Sequence, residues 1–171
     1  EDTPSAEIKF YEACAALKGD YPVFHSVAWI SRTEGRALDG EADFLVCHRD
    51  KGFLVVEVKG GRIHANYASG EWSSTDRNGR QHEIKDPFRQ SLKGKFNVLS
   101  KVKDHRDWVR MGSKRFSAGH AAFFPDVDDG RALKGPDAPI EIIGDRSDLS
   151  KLESWLEKAF EYWSNSLANS N

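Results

Sequence analysis

The chain has almost no excess of one charge sign: 25 Lys and Arg stand against 27 Asp and Glu, a formal net charge of -2. A global basic field that would draw it to any polyanion is excluded, so a nucleic-acid partner has to be held by a local patch. Cysteine is scarce. Cys14 and Cys47 lie in apolar runs with no cysteine at metal spacing. They read as reduced core residues of a cytoplasmic protein, not as a disulfide frame or a zinc site. No apolar run is long enough to span a bilayer, and no membrane partner is expected. Of the 171 residues, 39% are hydrophobic and 30% charged, which allows one packed core. With no internal repeat, residues 1–171 read as a single domain, and the polar stretch 164–171 suggests one excised from a longer protein.

What is there is an alternation of helix and strand patterns. Thr3-Pro4 opens a helix that Phe10, Tyr11, Cys14 and Leu17 carry to about Lys18, with Gly19 as its cap. Glu7 sits on or beside that apolar stripe, an unusual place for a carboxylate. Residues 21–30 predict a strand and 31–40 a glycine- and charge-rich loop. Residues 43–49 and 53–60 predict a hairpin closed by Asp50-Lys51-Gly52. A second hairpin is expected over 62–67 and 71–74, and a polar loop over 75–85. Asp86-Pro87 opens a second helix with Phe88, Leu92, Phe96, Leu99 and Val102 on its apolar stripe. Strands are expected at 118–124 and 140–143. A last helix begins at the capping box Ser150-x-x-Glu153, with Leu152, Leu156, Ala159, Phe160 and Trp163 inward. The order predicts an α/β fold, a mixed central sheet flanked by helices.

The strand from Phe53 to Lys59 carries the chemistry. Leu54, Val56 and Val58 share one apolar face, while Phe53, Val55, Glu57 and Lys59 share the other. A strand apolar on both faces is covered on both sides, so its end delivers Glu57 and Lys59 to the rim of a core. A loop over residues 50–52 would pair Leu45 with Glu57 and Asp43 with Lys59. Asp43 would then be the diagonal neighbour of Glu57, roughly 7–8 Å away between backbones. Two carboxylates at that separation converge on a hard cation such as Mg²⁺ or Mn²⁺. The carbonyl of Val58 offers a third ligand, and Lys59 can orient a water or stabilise developing charge. Glu7 is a further acid candidate. The same triplet also fits a cross-strand ion-pair cluster on a solvated sheet face, the ordinary meaning of so short a motif. Its position, at the end of a doubly covered strand and before Gly60-Gly61, favours chemistry.

Three blocks of the sequence resemble the nuclease-related domain, NERD, a family placed in the PD-(D/E)xK nuclease superfamily. They are Gly40 to Val46, Gly52 to Gly61, and Asp86-Pro87-Phe88-Arg89-Gln90. The resemblance implies a restriction-endonuclease-like mixed sheet with flanking helices and metal-dependent cleavage of phosphodiesters. It makes Glu57-x-Lys59 the (D/E)xK element, Asp43 the first acid, Glu7 the glutamate of the first helix and Gln90 the glutamine of the D-P-x-x-Q segment. The proline of the superfamily name is absent before Asp43. The Glu57-Val58-Lys59-Gly60-Gly61 run and the later Phe123-Phe124-Pro125-Asp126 resemble the variety attached to DNA helicases, which points to DNA repair or defence. The alternative is a catalytically inactive nucleic-acid-binding or regulatory module on the same fold.

Nucleic acid needs a basic patch, and residues 89–115 supply a strip of it: Arg89, Lys93, Lys95, Lys101, Lys103, Arg106, Arg110, Lys114 and Arg115. Arg89, Lys93 and Lys95, with Arg62 opposite, are the backbone-contact candidates. Nothing resembles base-specific readout. His25, His48, His64 and His120 show no metal spacing and read as structural.

Overall fold

The computed structural model describes residues 5–33, 36–110 and 116–168. Helix α1 (Ser5–Ala15) precedes the strands β1 (Val23–Thr33), β2 (Arg36–His48) and β3 (Gly52–Val58). A small unit follows, β4 (Arg62–Asn66), β5 (Glu71–Thr75) and β6 (Gln81–Ile84). Then come α2 (Pro87–Asp104), α3 (Arg106–Arg110), β7 (Ser117–Phe124), β8 (Ile143–Asp145) and α4 (Leu152–Ala168).

The main sheet has five strands in the order β1-β2-β3-β7-β8, and β4-β5-β6 form a separate antiparallel sheet. β3 sits in the middle, antiparallel to β2 and parallel to β7, so the sheet is mixed. Six of its seven residues are buried, because both of its faces are covered. The larger core cluster joins Phe10 of α1 and Leu156 and Phe160 of α4 to Phe44, Val46, Leu54 and Val56. The smaller joins Val98 and Leu99 of α2 to Phe53 and Val55. Alternate residues of β3 thus feed opposite faces, and each large side chain fully buried there contributes roughly 1.5–3 kcal/mol.

Several elements differ from the sequence expectation. The loop placed at 31–40 is largely ladder, since β1 and β2 pair from Val23–Val46 out to Thr33–Arg36; cross-strand pairing overrides the weak strand propensity of glycine and charged residues. Residues 34–35 lie outside the described residues, as do Thr3-Pro4. The polar stretch 75–85 contains β6, which completes the small sheet. On α2 the inward face is rotated. Ser91 and Gly94 are buried and Phe96 is 57% exposed, because the small residues let the helix lie close to the sheet. Asp86 is its N-cap, accepting the N–H groups of Phe88 and Arg89, with Pro87 at the first position. The helix-start box is Asp145 and Asp148, not Ser150 and Glu153. Asp145 accepts from Ser147 N–H at 2.9 Å and gives its own N–H to Asp148 at 3.0 Å. A 3-10 run, Arg146–Lys151, then leads into α4. Residues 140–142 are also 3-10, and the strand begins at Ile143.

Candidate active site

The β2–β3 hairpin turns over residues 49–51, with His48 opposite Gly52 and Phe44 opposite Val56. The register therefore differs from the expected one by two residues, which preserves the faces but brings Asp43 opposite Glu57 instead of diagonal to it. Paired residues end at Phe44–Val56. Lys59 gives its N–H to Phe123 of β7 at 3.0 Å, so by strand alternation the Val58 N–H points towards β2. A continued ladder would offer it the Ala42 carbonyl. Instead it donates to Asp43 Oδ2 at 2.8 Å. The carboxylate has replaced a backbone acceptor, and β2 and β3 part at this point.

The parting has a visible backbone cause. Phe44 packs in the larger cluster and Ala42 in the smaller, so side-chain alternation breaks at Asp43. Across the β1–β2 ladder, Ser26 lies where the partner of Asp43 would be and holds φ at +52°. For a residue with a Cβ this left-handed conformation is costly, and such strain gathers at functional sites.

Glu57 is 4% exposed and accepts a hydrogen bond from Lys59 Nζ at 2.7 Å. Burial first, and the Asp43 carboxylate second, push the Glu57 carboxyl up to about 7 against the pull of Lys59. Burial also raises Asp43, with the Val58 hydrogen bond and Lys59 opposing. Negative charge on these two acids is thus only partly stabilised by their surroundings, and a bound cation would supply the rest. Among the described residues no group of three or more His, Cys, Asp or Glu side chains forms a ready cage. The oxygens that could hold a cation here are those of the two carboxylates and of one backbone carbonyl. Val58 qualifies for the third, since its C=O leaves the strand on the same side as its N–H.

Glu7 reaches this edge from α1 and raises both carboxyls by its charge. It is held by His25, whose Nε2 lies 2.8 Å from Glu7 Oε2 and whose ring stacks on Phe44 at 4.7 Å between centroids. The sequence gives His25 no metal spacing and no role beyond a structural one. Its signal was indirect: a carboxylate on an apolar stripe needs a partner. Asp126, which the sequence marks only as the end of the Phe123-Phe124-Pro125-Asp126 segment, also belongs to this edge. It accepts the Gly61 N–H at 2.8 Å and pairs with Lys9, joining α1, the β3–β4 turn and the end of β7. Gly61 holds φ at +86° there, a conformation natural to glycine.

Among the described residues, no hydrogen bond joins the Gln90 side chain to the acids. Its Oε1 is buried without a hydrogen-bond partner. It shares a helix flank with Asn97, seven residues on, and Asn97 lines a groove with Val27 and Leu45; this flank faces the β1–β2 side. Arg62 and Lys93 are exposed, and the Arg89 side chain is 83% exposed. Lys95 departs from the strip. It is 8% exposed, with Nζ 4.1 Å from the centroid of the Trp163 ring, and burial brings its ammonium down to about 8. Lys114 and Arg115 lie outside the described residues.

A mixed sheet flanked by helices, with two acids and a lysine at the end of its central strand, defines a nuclease-like α/β core. More particularly, residues 5–115 match the nuclease-related domain, and the chain belongs to that family, with a nuclease-related function. No curated protein and no solved structure matches it. The sheet continues past the matched segment, since β7 and β8 come from residues beyond 115. Among the described residues no helix is long and apolar enough to cross a membrane.

Proposed function

We propose that this chain is a divalent-metal-dependent nuclease domain that hydrolyses phosphodiester bonds of DNA, using Mg²⁺ or Mn²⁺. One observation carries this reading: Asp43 and Glu57 oppose each other at the opened end of the β2–β3 ladder, both with raised carboxyls, beside the Lys59 ammonium.

In this reading Asp43, Glu57 and the Val58 carbonyl hold the ion, which when bound supplies a Lewis acid for a phosphate oxygen and a more acidic water. Asp43 is fixed by the Val58 N–H, so it meets the ion without a search through rotamers. Lys59 favours the ionised form of Glu57 against its burial and stands where charge develops on a phosphate. Glu7, oriented by His25, accepts a proton at the rim. Gln90 offers its unpartnered amide to a water or phosphate from α2. Arg62, Arg89 and Lys93 hold the strand by its phosphates; Lys95 is too enclosed to do so. The Gly60-Gly61 and Phe123-Phe124-Pro125-Asp126 segments favour a domain attached to a helicase, over residues 1–171.

The test is cleavage of labelled single- and double-stranded DNA with Mg²⁺, Mn²⁺ or EDTA, beside Lys59→Ala. Cleavage that needs metal and vanishes in the variant is the expected result. Metal binding without cleavage by the full-length protein would sink the enzymatic reading and leave the inactive binding module.

A further inference from the structure

β8 pairs only with Ala122, Phe123 and Phe124 of β7. Nearer the start of β7, among the described residues, no strand lies along that edge. Trp163 of α4 covers it. Its indole N–H donates to the His120 carbonyl at 3.0 Å, and a Cβ at Gly119 would collide with its ring. Between α2, α4 and the chain at 136–142 a cavity of about 300 Å³ remains. That is the small end of the range for ligand pockets, about 300–1,000 Å³, suited to a single ring system.

Phe88, Tyr162 and Trp163 give it aromatic walls, and His120 lines it as well. His120 is 6% exposed, its Nδ1 is enclosed without a hydrogen-bond partner, and its ring lies 4.6 Å from that of Trp163. Burial, with the Lys95 charge nearby, holds the imidazole down to about 3. At neutral pH it is uncharged and presents one donor and one acceptor nitrogen. A buried polar ring without a partner calls for an explanation, and a cavity at that ring supplies one. Arg89 also lines the cavity, its guanidinium 3.7 Å from the Asp86 carboxylate, and Asp137 adds an acceptor.

We propose that this pocket binds a nucleobase, with the ring against Trp163 and Tyr162, its polar edge on His120, an exocyclic amine towards Asp137 and the attached phosphate towards Arg89. The site goes beyond phosphodiester cleavage and does not rest on it. His120 stands opposite Val55 on β3, two residues before Glu57, an offset of roughly 7 Å along the strand. The base belongs either to a free nucleotide or to an unpaired position in a strand.

The full chain is titrated in EDTA with deoxyadenosine monophosphate, deoxyribose 5-phosphate and inorganic phosphate, following tryptophan fluorescence and the His120 imidazole by NMR. The nucleotide is expected to quench the fluorescence and shift His120, while the base-free probes do neither. Tyr162→Ala is expected to weaken nucleotide binding about tenfold, through lost stacking. His120→Phe, which keeps a ring of similar size, is expected to weaken it several-fold. A short oligonucleotide with an adenine, against one abasic at that position, separates the sources. If a strand is the ligand, it shifts His120 only with the adenine present, and free nucleotide binds far more weakly. No His120 shift at millimolar nucleotide, or an equal response to deoxyribose phosphate, overturns the proposal. Should His120→Phe fail to fold, Tyr162→Ala and the wild-type His120 signal decide it. All arms are read without metal, so a failure of cleavage and a failure of base binding are told apart.

Discussion

Asp43 accepts the backbone N–H of Val58 at 2.8 Å, a bond that a regular ladder would give to the Ala42 carbonyl. The same carboxylate therefore does a structural task and, in the proposed reaction, a chemical one, and the two are separable. Asp43→Asn keeps an acceptor for Val58 and loses the charge. Asp43→Ala loses both and leaves a part-buried donor unpaired, at a cost of about 1–3 kcal/mol. Both variants are expected to lose metal-dependent cleavage, but only Asp43→Ala should unfold markedly earlier in denaturant. Equal destabilisation by the two would show that the bond to Val58 contributes little.

The pH dependence follows from Glu57. Its folded carboxyl is raised to about 7, whereas the unfolded chain titrates near the ordinary glutamate value of about 4.3. Between those values the folded state holds the extra proton, so this group's contribution is largest at low pH and is lost as pH rises through the window. Across the whole window the loss is on the order of 3–4 kcal/mol. In EDTA, stability should fall from pH 5 to pH 7.5 more steeply in the wild type than in Glu57→Gln. Mg²⁺ should recover part of it for the wild type alone. Parallel profiles for the two proteins would remove Glu57 as the source.

His25 is expected to act by positioning Glu7. His25→Phe keeps the stacking on Phe44 and removes the partner of the carboxylate. Loss of such an orienting partner commonly costs about 10–100-fold in activity. The loss should fall on kcat with KM for DNA little changed, and His25→Asn should restore part of it. A change in KM alone would place His25 in binding instead.

The basic residues divide by exposure. Lys93→Ala should weaken DNA binding evenly across sequences and lower the salt slope by about 1. Lys95→Ala should leave that slope unchanged and lower the melting temperature, because Lys95 lies under Trp163. A lower slope for Lys95→Ala would put its ammonium on a phosphate after all.

The central strand was legible because its pattern is strong: apolar on both faces, then Glu57 and Lys59. So was the start of α2, since Asp86-Pro87 is both cap and first turn. What escaped depends on partners distant in sequence. Residues 31–40 form strand only because another strand lies beside them. The face of α2 turns on how closely Ser91 and Gly94 let it approach the sheet, which an apolar stripe does not encode. The hairpin register shifted because the three-residue loop falls at 49–51, and Gly52, at φ +108°, enters the strand. His25 and Asp126 became visible only once β1 and the end of β7 were brought to α1.

Just past β3, Lys59 gives its N–H to Phe123, and Phe123 lies past residue 115, where the match to the nuclease-related domain ends. The boundary of the family match thus cuts through the hydrogen-bonded middle of the sheet. A fragment trimmed to that boundary would expose the apolar flank of its central strand, an invitation to edge-to-edge aggregation. The hydrogen-bonded sheet is larger than the segment that the family match covers.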